Sequence, residues 1–196
     1  MPQKKLEGEH SVQMPQDGHR HIRQKETPDL AADYTGVSHP DECLIYNKIG
    51  DGTLRSLKSI VGSANVITHR DELAPYTHDE TPEVEGWPEV VVKAGSTEEV
   101  AAIIKLANER RIPVTPRGGG QGLSGGAVPV CGGIVLSMER MNRILEIDRR
   151  NLMVTVEPGV ITGELHRRVE EQGLFYPPDP ASLDSCFIGG NIAEGA

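Results

Sequence analysis

Residues 112–126 read IPVTPRGGGQGLSGG, an apolar run that passes without a helical pattern into a loop dense in glycine. Ile112 to Thr115 is expected as a strand, one that tolerates Pro113 only near its start or at a sheet edge. The loop then begins at the C-terminal edge of a sheet, where α/β folds bind their ligands. Gly118, Gly119, Gly120 and Gly122 lack Cβ, so the main chain can take left-handed angles and approach a bound group closely. A concave run of peptide N–H groups of this kind suits phosphate oxygens, with Arg117 adding a charge and Ser124 a hydroxyl. Of the 22 glycines, eight fall between Gly118 and Gly133, which concentrates the chain's backbone freedom in one place.

Two phosphate-binding patterns fail on context. Gly120-x-Gly122-x-x-Gly125 spells the dinucleotide fingerprint, but that motif needs a helix carrying the third glycine. Gly125-Gly126-Ala127-Val128-Pro129 does not make one. The phosphate loop of nucleoside triphosphatases needs Gly-Lys-Ser/Thr, which does not follow. What survives is a helix-free pyrophosphate loop, with a glycine-rich turn that binds nothing as the alternative.

Working outward, Val90-Val91-Val92 reads as a strand and Ser96 to Glu99 as a capping box, Glu99 reaching back to the Ser96 backbone. Val100, Ile103, Ile104 and Ala107 form one apolar helical stripe behind it. With Ile112 to Thr115 this makes a β-α-β unit, favouring a parallel pair. Ile134 to Leu136 is a buried strand, and Ile144, Ile147 and Met153 to Val156 give two more around the Asp148 to Asn151 turn. Thr162 is expected to cap a helix with Leu165 and Val169 inward and His166 on its surface; Phe175 to Phe187 has no period. Upstream, Leu54, Leu57, Ile60 and Val61 repeat at helical spacing before Gly62, followed by Val66-Ile67 and a helical turn from Asp71 to Tyr76. His78, Asp79 and Glu80 read as a solvated surface turn. Three segments result: a polar, disordered tail over 1–47, a helical leader over 48–86, and the β-α-β region with its continuation over 87–196.

The net charge of −9, without a block of Lys or Arg, argues against nucleic acid and anionic membranes as partners. No apolar run of membrane-spanning length occurs and the start is polar, which predicts a cytoplasmic protein. Three widely spaced cysteines, Cys43, Cys131 and Cys186, indicate neither a disulfide framework nor a zinc site, and Cys131 and Cys186 read as small packing residues. His19-Arg20-His21 has no further ligand near it in sequence, so no metal is expected there.

The stretches PEVVVKAGSTEEV (88–100), IPVTPRGGGQGLSGG (112–126), VTVEPGV (154–160), YPPDPAS (176–182) and IGGNIAEGA (188–196) resemble, in that order and spacing, the first part of the FAD-binding domain of the vanillyl-alcohol oxidase (PCMH-type) superfamily. The resemblance is strongest to the branch that holds glycolate oxidase and D-lactate dehydrogenase. It implies an α+β fold, a small parallel β-α-β subdomain followed by a mixed-sheet subdomain, incomplete at the C-terminus. It also implies a flavoprotein oxidising a 2-hydroxy acid by hydride transfer to flavin, with an electron-transfer protein as partner. By resemblance, Pro116, Arg117, Gly118, Gly119, Gly120, Gln121, Gly122, Leu123 and Ser124 would wrap the FAD pyrophosphate. Asp179, Ser182, Gly189, Gly190 and Asn191 would line its flavin and ribityl side. Relatives that attach FAD through this loop have His after the three glycines; Gln121 stands here, so FAD is expected to be non-covalent. The family's catalytic and metal-binding residues lie in a substrate domain beyond Ala196, so no catalytic residue is assigned. The alternatives are a non-catalytic remnant that at most binds FAD and an FAD-dependent reductase of the cell-wall precursor type, against which YPPDPAS argues.

Overall fold

The computed structural model describes residues 42–195, and the expected tail lies outside the described residues up to 41. From there on the chain makes defined contacts, earlier than the boundary at 47. Glu42–Ile45 forms a 3-10 turn, and Asn47 donates its N–H to the Arg111 carbonyl and its side-chain amide to that of Arg110, both at 2.9 Å. A disulfide joins Cys43 to Cys131, which corrects the reading of Cys131 as a packing residue. An odd count only requires one thiol to be left over, and that one is the buried Cys186.

Helix α1 (Asp51–Val61) turns Leu57 and Val61 inward and stops at Gly62, whose φ of 83° few other residues tolerate. Strands β1 (Val66–Ile67), β2 (Val90–Lys93), β3 (Val114–Arg117) and β4 (Ile134–Ser137) form one sheet in the order β1-β2-β4-β3. β1 is antiparallel to β2; β4 is parallel to both β2 and β3. The first sheet is therefore mixed, and the β-α-β unit does not pair its own strands, because β4 inserts between them. The sequences explain the order. Ile134-Val135-Leu136 is apolar on both faces and demands a central place. Pro116 within β3 has no N–H to donate and belongs at an edge. β3 also starts two residues later than expected, since the Ile112 N–H closes the preceding helix on the Ala107 carbonyl at 2.9 Å.

That helix, α3 (Thr97–Glu109), begins as its cap residues dictate: Ser96 Oγ accepts the Glu99 N–H at 3.2 Å. The Glu99 carboxylate returns to the Gly95 N–H, one residue beyond the one expected. Ile103 and Ala107 are buried, whereas Ile104 is 45% exposed and Leu106 packs in its stead, on the other flank of the stripe. α1 and α3 together cover one sheet face, packing Leu57, Val61, Ile103 and Ala107 on Val90, Val92, Ile134 and Leu136. On the other face Val91 and Val135 meet Leu73 of α2 (Arg70–Leu73) and Tyr76 of the 3-10 turn that follows. Each such aliphatic side chain stabilises the fold by about 1.5–3 kcal/mol.

Strands β5 (Ile144–Asp148) and β6 (Met153–Val156) form an antiparallel hairpin, so the second sheet is not mixed among the described residues. Asp148 Oδ1 accepts the N–H groups of Arg150 and Asn151, both at 3.0 Å, and fixes the turn. Helices α4 (Thr162–Glu170) and α5 (Ile188–Glu194) pack Leu165, Val169 and Ile188 on the hairpin's inner side chains. Thr162 does not cap α4: Ile161 holds that position, and the Thr162 hydroxyl is buried, accepting the Asn191 amide at 2.8 Å. Among the described residues no helix is long and apolar enough to cross a membrane.

Candidate functional site

β3 leaves the first sheet at Arg117 and the chain re-enters it only at Ile134. Parallel neighbours require a crossover, commonly a helix. Residues 118–133 make theirs with no helix at all, as the glycine and proline content dictates. The loop is held from behind by the segment from Thr77 to Gly86. The Glu80 N–H donates to the Gly122 carbonyl (3.0 Å), the Gly125 N–H to Thr81 Oγ1 (2.7 Å), and the Gly86 N–H to the Thr77 carbonyl (2.8 Å). His78 and Glu80 are exposed, as a solvated turn predicts, and the correction concerns Asp79 alone. Asp79 is buried, its Oδ1 accepting the Thr81 N–H at 2.9 Å and its Oδ2 without a partner among the described residues. The turn reaches the glycine loop through the Glu80 main chain and the Thr81 hydroxyl.

Arg117 is 7% exposed and spent on main-chain carbonyls. Nη1 donates to His78 (2.9 Å) and Ala127 (3.2 Å), and Nη2 donates to Pro75 (3.0 Å). The guanidinium also lies over the Tyr76 ring at 5.6 Å. Burial lowers its pKa, and the Asp79 carboxylate works against that shift. Tyr76 is fixed in turn by Glu139, whose Oε1 accepts the phenol (3.0 Å) and the Ser137 hydroxyl (2.9 Å) and pairs with Lys93 Nζ (3.0 Å). Burial opposes the Glu139 charge, yet these donors outweigh it and hold the carboxyl below its usual range. Burial and the Glu139 charge raise Tyr76.

No backbone N–H from Gly118 through Ser124 donates to an acceptor among the described residues. All of them but Leu123 form one wall of a cleft of about 630 Å³. Gly118 to Gly122 are half-buried and Leu123 and Ser124 exposed, so these free N–H groups are open to water or to an anionic ligand. Pro180, Ser182, Phe187, Gly189, Gly190 and Asn191 form the facing wall, with Met138, Met141 and Pro158 between.

Of the residues expected at the site, Pro116, Arg117, Gly118, Gly119, Gly120, Gln121, Gly122, Ser124, Ser182, Gly189, Gly190 and Asn191 come together around this cleft. Leu123, 74% exposed, and Asp179 are not among its lining residues. The glycines are bare for different reasons. A Cβ on Gly119 would stand 2.5 Å from the Ser185 carbonyl oxygen, so this glycine lets the two walls touch. A Cβ on Gly190 would meet nothing within 4 Å, so that position faces open space.

His166, expected on the surface, is half-buried. Its Nε2 donates to the Pro178 carbonyl at 2.7 Å, and its ring meets Tyr176 edge-on, so it ties the proline-rich wall to α4. Met138, Met141, Phe187, Thr97 and Glu194 line the cleft without having been expected there. Met138 and Thr97 follow directly on a strand end and a helix cap, a positional signal that their chemistry does not repeat.

A family model described as "FAD binding domain" matches residues 88–196. The chain is 48% identical over 121 residues to glycolate oxidase subunit GlcD of Bacillus subtilis (strain 168), covering 62% of this chain and 26% of that protein. To D-lactate dehydrogenase of Anaerostipes hadrus it is 43% identical over 153 residues, covering 77% and 32%. The solved structure of 4-ethylphenol oxidase from Gulosibacter chungangensis, in complex with isoeugenol, superposes with a TM-score of 0.64 at 32% identity, covering 80% of this chain and 29% of that one. The chain thus spans between a quarter and a third of the length of these relatives.

Proposed function

Because the chain belongs to the FAD-binding domain family, we propose that it forms the FAD-holding part of a flavoprotein oxidoreductase that oxidises a 2-hydroxy acid of the glycolate or D-lactate kind. The observation that supports this most is the set of undonated N–H groups of Gly118 to Gly122 and Ser124 along the cleft. FAD fits this donor set: its pyrophosphate needs several N–H groups, and its isoalloxazine and ribityl portions need a long, largely apolar slot.

Bound there, FAD supplies a hydride acceptor at flavin N5 for the carbon that carries the hydroxyl. The chain's own share is positioning. Main-chain N–H groups of the loop hold the pyrophosphate oxygens, and as fixed dipoles they need no rearrangement when the ligand arrives. Gly190 leaves room on the facing wall, while Met138, Met141 and Phe187 keep water from the slot. Gln121, an amide, cannot form a histidyl–flavin bond, so the cofactor is held without a covalent link. The hydroxy acid and an electron-transfer protein as partner complete the proposal. So does a cytoplasmic location, which stands against the Cys43–Cys131 bond, since disulfides persist chiefly in oxidising compartments.

The test is to express residues 1–196, saturate with FAD, remove free flavin and denature. Flavin should co-purify in near-equimolar amount and pass entirely into the filtrate on denaturation. A chain that retains no flavin after saturation contradicts the binding reading, and flavin that stays with the denatured chain contradicts the non-covalent one.

A further inference from the structure

We propose that Arg117 is a positioning residue that props the glycine loop from behind, and that the pyrophosphate is held by main-chain N–H groups without a cation from this side chain. The proposal rests on the FAD reading above and assigns a different job to the one basic residue next to the glycines.

Three observations carry it. First, the guanidinium donates to the carbonyls of Pro75 and His78, in a segment about 40 residues upstream, and of Ala127 at the far end of the glycine loop. A rigid fork can bridge three such acceptors at once, and a lysine ammonium on a flexible stem cannot reproduce that geometry. Second, Gly120 has a φ of 73°, and a Cβ placed on it would fall within 2.6 Å of the Arg117 Cζ. The guanidinium occupies the space under Gly120, so the loop's path over it requires both the left-handed angle and the missing side chain. Third, the negative charge that Arg117 answers is already present. Asp79 is buried near enough for its charge to act on Arg117, without a direct ion pair between them, so the cation has a counter-charge within the protein. The other charged side chain lining the cleft is Glu194, a carboxylate. Among the described residues, therefore, a cofactor carrying two phosphate charges meets no free cation along this cleft, and backbone dipoles remain to receive it.

The experiment measures FAD affinity of the 1–196 chain across a series of NaCl concentrations for the wild type, Arg117→Lys and Arg117→Met. For a prop, both substitutions weaken FAD by about tenfold or more, because neither can bridge three carbonyls, and the salt dependence of binding stays that of the wild type. For a ligand, Arg117→Lys retains affinity within about threefold while Arg117→Met loses it and flattens the salt dependence; this outcome overturns the proposal.

Should either variant fail to fold, the wild type decides alone through the guanidinium ¹⁵N–¹H resonances of Arg117, followed on adding ADP as a pyrophosphate probe. Resonances that stay in place while loop amides shift support the prop. A shift of the guanidinium with a coupling to phosphorus overturns it. A wild-type chain that binds neither FAD nor ADP defeats the FAD reading itself, a failure distinct from tight binding with a lysine that substitutes freely.

Discussion

The sheet built on Val90–Lys93 and Ile134–Ser137 is covered on both faces, by α1 and α3 on one side and by Leu73 and Tyr76 on the other. The hairpin Ile144–Val156 is covered on one face by α4 and α5, while Leu145 and Met153 on its strands are 56% and 62% exposed. The cleft runs along the seam between these two regions, one wall from each. The difference teaches that the glycine loop is anchored to a closed core, whereas Ser182 to Asn191 rides on a layer with an open side. Ligand geometry depends on both, and global stability mainly on the first.

The largest expected effect separates the two cores. Ile134→Ala, at a fully buried site in the closed sheet, should lower the stability of the whole transition by about 3 kcal/mol in urea unfolding. Leu165→Ala, equally buried, should instead strip amide-exchange protection from the hairpin and α4 while leaving the first sheet's transition in place. One cooperative transition shifted equally by both would break the comparison.

The Cys43–Cys131 bond closes a separation of 88 residues within the first region. Reduction by dithiothreitol should cost about 2–4 kcal/mol, seen as a fall in Tm that Cys43→Ser abolishes. Thiol titration of the oxidised, denatured chain should find one free group, that of Cys186.

The seam itself is probed by two glycines. Gly119→Ala drives a Cβ against the Ser185 carbonyl and should cost about 1–3 kcal/mol together with most of the FAD affinity. Gly190→Ala, facing open space inside a helix, should leave Tm unchanged or slightly raised yet still weaken FAD. Equal loss of Tm in the two would show that Gly190 serves packing rather than the ligand.

A smaller effect is expected at His166. Removing its bond to the Pro178 carbonyl with His166→Leu should cost about 1 kcal/mol. His166→Gln, which can still donate, should recover part of that in thermal melts.

The smallest is the pH dependence of the Tyr76–Glu139–Lys93 network. Glu139 has a lowered folded pKa, so its contribution is complete above its unfolded value near 4.5 and is lost as pH falls through the folded one. Tyr76 and Lys93 have raised folded pKa values, so theirs is complete below about pH 10 and is lost at higher pH. Tm in Glu139→Gln should accordingly differ from wild type on the plateau from about pH 5 to about pH 9 and converge with it on the acid side.

Most elements were legible because their signals are local. Ser96 and Glu99 announce α3, Gly62 ends α1, and Ile134 to Leu136 can only be a buried strand. The site was legible as far as its glycines, since a helix-free glycine loop at a strand end has few uses. Other features depend on contacts between distant residues. The insertion of β4 between β2 and β3 depends on which strand can occupy a centre, and Pro116 shows this only once both candidates are compared. The burial of Asp79 follows from how its turn packs against the glycine loop, which its polar sequence neighbours do not reveal. Arg117 looked like an anion ligand because its sequence neighbours are glycines, while its acceptors lie at Pro75, His78 and Ala127.

On the function proposed above, the bare main chain from Gly118 to Ser124 receives the cofactor's pyrophosphate. Amide hydrogen exchange of these residues, with and without saturating FAD, addresses it directly. Fast exchange is expected in the free chain and strong protection of this run in the complex, reproduced by ADP and absent with riboflavin. Protection that appears only elsewhere, with these amides exchanging as freely as before, would contradict it.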